Sequence, residues 1–111
     1  MSSQNSLETE IVHKSAEPNL CMKVLDYSKQ YLNEKEIVMT EPQWLSFVSH
    51  IAGMVYRSVN KEKIPTVEKE IFSEVSKDSI KMASIICNQL SELQDDEKYL
   101  LSIHFEAAKQ N

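Results

Sequence analysis

The sequence predicts an all-α protein, a single compact bundle of about five helices. Three observations carry this. Apolar residues recur at three- and four-residue spacing in one segment after another. The 111 residues include one glycine and three prolines, too little turn material for a hairpin-rich β fold. At this length the chain is one domain, able to bury roughly two-thirds of its unfolded surface around one core. A hydrophobic fraction of 41% and a charged fraction of 26% are those of an ordinary globular chain.

Residues 1–18 are polar and lack a period, so they are expected to form a flexible N-terminal tail, with His13 as a solvated side chain in it. The helical domain is expected over 19–111. Its first helix runs from about Asn19 to Asn33, with Leu20, Val24, Tyr27 and Tyr31 at helical spacing and Cys21, Leu25 and Leu32 beside them. Ile37 to Met39 form a connector. The second helix has the clearest start: Thr40 caps, Pro42 sits in the first turn and Gln43 completes a T-x-x-Q capping box. Trp44, Val48, Ile51 and Val55 make its apolar row, which ends near Asn60. Gly53 lies inside it at a cost of about 1 kcal/mol relative to alanine, which close approach of another helix would offset. A short third helix is expected from about Pro65 to Glu74. The fourth opens on Ser76 or Asp78 and carries Met82, Ala83, Ile86, Cys87, Leu90 and Leu93. The fifth follows Gln94–Glu97, where acidic residues suit a helix N-terminus, with Tyr99, Leu100, Ile103 and Ala107 on one side.

Charge and composition exclude several functions. Seventeen acidic residues outnumber twelve basic ones for a net charge of −5, and no basic run exceeds two residues. Phosphate-backbone binding rests on clustered Lys and Arg releasing counterions, so no direct nucleic-acid binding is expected. Cys21 and Cys87 show no CxxC pattern and fall on apolar helical stripes, as reduced core cysteines do. The three histidines lack metal-ligand spacing, and no cofactor is implied. The N-terminus MSSQNSLETE does not read as a signal peptide. The apolar runs are far shorter than the ~20 residues that span a bilayer. The cytoplasm is the expected compartment.

Two histidines lie inside helical patterns. On a wheel of about 100° per residue, His50 falls at the border of its apolar face, between Phe47 and Met54, with Arg57 two turns on. His104 reads as the deeper of the two, flanked by Leu100 and Ala108, with Glu97 two turns before. No G-x-S-x-G, Gly-rich phosphate loop or HExxH accompanies them, and an enzyme is not expected. An imidazole that accepts a phosphoryl group needs less. Neutral histidine is a nucleophile near pH 7, the donor brings the activated phosphate, and a nearby guanidinium helps to hold the product.

The stretch LSFVSHIAGMVYR, Leu45 to Arg57, resembles the first histidine motif of PTS-regulation domains, roughly L-x-D-H-I-x-F-A-x-x-R. His50, Ile51 and Arg57 match in register. EKYLLSIHF, Glu97 to Phe105, is similar to the second motif, E-x-Y-x-x-x-x-H-I, through Glu97, Tyr99 and His104. The 54-residue separation of the histidines suits one such domain, and the likeness extends from about Asn19 to Gln110. Ser49 departs from the family's usual aspartate, and Ile64–Pro65 stands where Asn-Pro is usual.

The resemblance implies a stand-alone regulatory domain with no attached RNA- or DNA-binding effector. The phosphocarrier HPr or a PTS enzyme II component would phosphorylate His50 and His104. Arg57 is then a candidate phosphate clamp, Glu97 and Tyr99 are motif support, and the chain is expected as a homodimer that reports on sugar uptake. Two other readings compete. A histidine phosphotransfer carrier of two-component signalling would need one histidine followed by Lys-Gly, whereas His50 precedes Ile51–Ala52–Gly53. A helical interaction module would keep both histidines as structural residues.

Overall fold

Among the described residues five α-helices build the fold, in the order α1 (Ser3–His13), α2 (Pro18–Glu34), α3 (Glu41–Asn60), α4 (Lys77–Cys87) and α5 (Glu97–Ala108), with a 3₁₀ turn at Lys69–Phe72 between α3 and α4. The structure is a computed structural model and describes residues 3–111, with side chains from residue 6 on. No strand occurs among the described residues. None of the described helices is long and apolar enough to cross a membrane.

The segment expected as a loose tail is helical from Ser3 to His13. Val12 and Ser15 are buried, and Glu8 Oε1 accepts a 2.8 Å hydrogen bond from Trp44 Nε1, which ties α1 to α3. The helix is polar because few of its residues face the core: Val12 is enclosed and Ile11 is packed at the core's margin. His13 is its exposed last residue. Deletion of residues 1–16 is expected to cost about 2–3 kcal/mol, the burial of one valine side chain and one hydrogen bond. It should also shift the emission of Trp44, the single tryptophan, to the red. Unchanged urea unfolding and fluorescence would show that α1 does not brace the bundle.

α3 begins as its sequence requires. Thr40 Oγ1 accepts from Gln43 N and Gln43 Oε1 accepts from Thr40 N, a complete capping box. It ends on Lys61 in the left-handed conformation (φ 57°), a site that usually takes glycine. Phe47, Val48, Ile51, Met54 and Val55 are fully enclosed, so α3 is the central helix. The helix expected over Pro65–Glu74 is only the 3₁₀ turn. β-Branched Thr66 and Val67 favour extended backbone, and Val67 N–H donates to Asp96 instead of to a helical carbonyl.

α4 is capped by Ser76 and stops at Cys87, short of Leu90 and Leu93. Glu106 of α5 clasps its start: Oε1 accepts from Ser76 N, Ser76 Oγ and Ser79 Oγ, the last at 2.7 Å. These bonds hold the Glu106 carboxyl below its ordinary range. The face of α5 also differs from expectation. Glu97, Leu101, Phe105 and Ala108 point inward, while Ile103 is exposed. A charged residue, Glu97, occupies the core stripe because it has a cationic partner there.

Candidate functional site

The rotation of α5 brings the two helical histidines together. His50 lies on the edge of α3 and His104 on the edge of α5, and their rings meet edge to face with centroids 5.0 Å apart. Phe47 packs beside the pair, edge-on to His104 at 5.9 Å and to Phe105 at 5.6 Å. Both histidines are half-buried, but the order of depth expected from the helical wheels is reversed. His50 Nε2 is buried and has no hydrogen-bond partner. With Leu101, Phe105 and Ala108 toward the core, His104 is left at the margin of α5.

Arg57 and Glu97 close the seam between the same two helices. Arg57 Nε and Nη2 each donate a 2.7 Å hydrogen bond to one Glu97 oxygen, the bidentate geometry that gives specificity as well as energy. The Glu97 side chain is 1% exposed and that of Arg57 24%, so the anion is the buried partner. The pairing leaves Arg57 Nη1 over Gly53, where an added Cβ would lie 3.3 Å from it. The close neighbour of Gly53 is thus this guanidinium from its own helix, and not a second helix.

Electrostatics keep the histidines neutral. Burial, then the positive influence of His104 and Arg57, lowers His50 to about 4, and burial lowers His104 as well. Neutral imidazole is the nucleophilic form. The remaining candidates lie apart. Tyr99 packs its ring on Phe72 of the 3₁₀ turn at 5.8 Å, with Lys69 and Lys98 over its face. Ser49 is exposed in a cleft of about 420 Å³ beside α1, which Lys14, Tyr56, Arg57 and Glu62 also line. Cys21 and Cys87 are free thiols. Cys21 is in the core, and burial, then the charge of Glu97, pushes Cys87 up to about 12. No three His, Cys, Asp or Glu side chains cluster as metal ligands among the described residues.

Residues 23–108, which hold every member of this seam, match the PRD domain family. The chain belongs to that family. The crystal structure of a PRD-containing transcription regulator from Lactobacillus casei ATCC 334 is similar to this PRD domain throughout. It shares 30% sequence identity at a TM-score of 0.89, over 95% of this chain and 94% of that one. No curated protein matches the sequence. The PRD match begins inside α2, whereas the structural likeness extends over nearly the whole chain.

Sequence reasoning placed His50, His104, Arg57 and Glu97 in this PRD domain but missed Phe47 as the enclosed ring against His104. The signal was available, since Phe47 precedes His50 by three residues and so shares its face.

The histidine pair also sets an acid limit on stability. The unfolded chain takes up a proton on His50 near 6.5, while the folded chain holds that ring at about 4. Between these values the unfolded state binds more protons, so stability present above 6.5 falls as the pH drops toward 4. The loss expected from His50 is on the order of 3 kcal/mol, and His104, lowered too, acts in the same direction. Urea unfolding at pH 7 and pH 4.5 measures it. His50→Gln should flatten the slope, and an unchanged slope in that variant would remove the assignment.

Proposed function

We propose that this PRD domain is a phosphorylation-controlled regulatory module, not an enzyme, whose signal is a phosphoryl group carried on the His50–His104 seam. The observation behind this reading is the pair itself: two neutral imidazoles from different helices in ring contact, with a guanidinium on the same edge of α3. Such a site can receive a phosphoryl group that another protein has already activated, and its own carboxylate, Glu97, is buried and held by Arg57 rather than free to act on a small substrate. The donor is the phosphocarrier HPr or a PTS enzyme II component in the cytoplasm. The output passes through protein contacts, including those of a homodimer, rather than through direct binding of nucleic acid. It modulates transcription or metabolism in response to sugar uptake.

Incubation with phosphoenolpyruvate, enzyme I and HPr, with or without an enzyme II component, tests the proposal by intact mass. The wild-type chain is expected to gain an acid-labile, base-stable adduct. The His50→Ala/His104→Ala double variant should gain none, and His104→Ala should lose more label than His50→Ala. Equal labelling of wild type and double variant would sink the assignment.

A further inference from the structure

The two rings of the seam are not equivalent. A donor must approach an acceptor nitrogen along the line of the new bond, and His50 Nε2 is enclosed without a partner. His50 Nδ1 and both nitrogens of His104 are not enclosed in this way, so His104 offers a donor two open nitrogens against one, and the neighbouring Ile103 is open to solvent. Charge separates the rings further. A phosphohistidine carries nearly two negative charges. Two of them would face each other across rings only 5.0 Å apart, in a place sheltered from water. The cation on that edge, Arg57, already has Nε and Nη2 on Glu97.

One phosphate has the opposite effect. It supplies acceptor oxygens beside an imidazole nitrogen that has no partner, and its charge opposes the positive influence of Arg57 on His50. We infer that the pair takes a single phosphoryl group, on His104, and that His50 is a positioning residue whose ring donates a hydrogen bond to it. The inference rests on the phosphohistidine reading above. In the transfer, the donor's N–P bond breaks and its electron pair stays on the donor ring. A lone pair on His104 makes the new N–P bond. The proton released by the His104 ring passes through solvent to the donor ring, and both rings end neutral.

The test uses phosphoramidate, a small phosphoryl donor that releases ammonia and needs no docking surface. It is applied to full-length chain carrying His13→Ala, because exposed His13 would also react. Circular dichroism first establishes that each variant folds, and His104→Asn serves if His104→Gln does not. Intact mass at alkaline pH is expected to show one phosphate on the His13→Ala chain and on its His50→Ala and His50→Gln derivatives, and none on the His104 variant. The adduct's half-life should fall about tenfold in His50→Ala, the effect of one hydrogen bond to a charged oxygen. His50→Gln, which keeps a neutral N–H donor, should restore most of it. Two phosphates on a chain with His50 and His104 intact would overturn the inference. So would label that survives loss of His104, or one half-life across all His50 variants. Labelling by phosphoramidate but not by phosphorylated HPr or an enzyme II component would overturn the proposed donor and leave the division of roles standing.

Discussion

Replacing Arg57 with alanine is expected to cost about 3 kcal/mol and to lower the melting temperature by roughly 10–20 °C. The loss comes less from the missing attraction than from what stays behind. Glu97 is 1% exposed and both its oxygens are held by Arg57 at 2.7 Å. Without the guanidinium, a charged carboxylate is left inside the bundle with neither its counter-ion nor its two donors, and breaking a buried pair from one side costs about 3–5 kcal/mol. The lower end applies because Arg57 itself is partly exposed. The double replacement Arg57→Met/Glu97→Leu separates attraction from desolvation. It should regain most of the loss, because no charge is then left buried. Urea unfolding of the three variants measures this. A double variant no more stable than Arg57→Ala would show that the pair holds the fold by geometry that apolar side chains cannot replace.

Phe47→Ala should be more costly still, about 4 kcal/mol. The ring is completely enclosed and touches Trp44, Phe105 and His104, so its removal opens a cavity at the seam rather than at the surface. A second effect follows. Burial is what lowers His104, and water admitted beside the ring should return its titration toward 6.5. Phe47→Leu, which keeps most of the volume, should lose far less stability and leave the imidazole nearly unchanged. Nuclear magnetic resonance titration of the histidines together with urea unfolding reads both effects. A stability loss below about 1 kcal/mol with no change in titration would remove Phe47 from the support of the site.

What the sequence reveals depends on whether an interaction is local. The Thr40–Gln43 capping box is written within four consecutive residues, and the structure reproduces it bond for bond. The apolar row of α3 is as legible, because a central helix buries a wide face. α1 is not legible: a helix whose described side chains enclose only Val12 has almost no period to detect. The short 3₁₀ turn in place of a third helix reflects backbone preferences and a long-range bond from Val67 to Asp96. α5 shows the deeper limit. Hydropathy favours Ile103 as inward and Glu97 as outward, and the fold does the reverse because Arg57, 40 residues earlier, neutralises Glu97. The same long-range pair sets the rotation of α5. His50 and His104 could therefore be recognised singly, through their motifs, while their contact and relative depth could not.

The clasp of Glu106 on Ser76 and Ser79 has a mechanical consequence. Glu106 stands two residues beyond His104 on α5, and its carboxylate grips the first turn of α4. α4 packs more extensively on α5 than on any other helix. α4 is therefore tied to the helix that carries His104, and a shift of α5 against α3 at the seam would either carry the first turn of α4 with it or break the three bonds to Glu106.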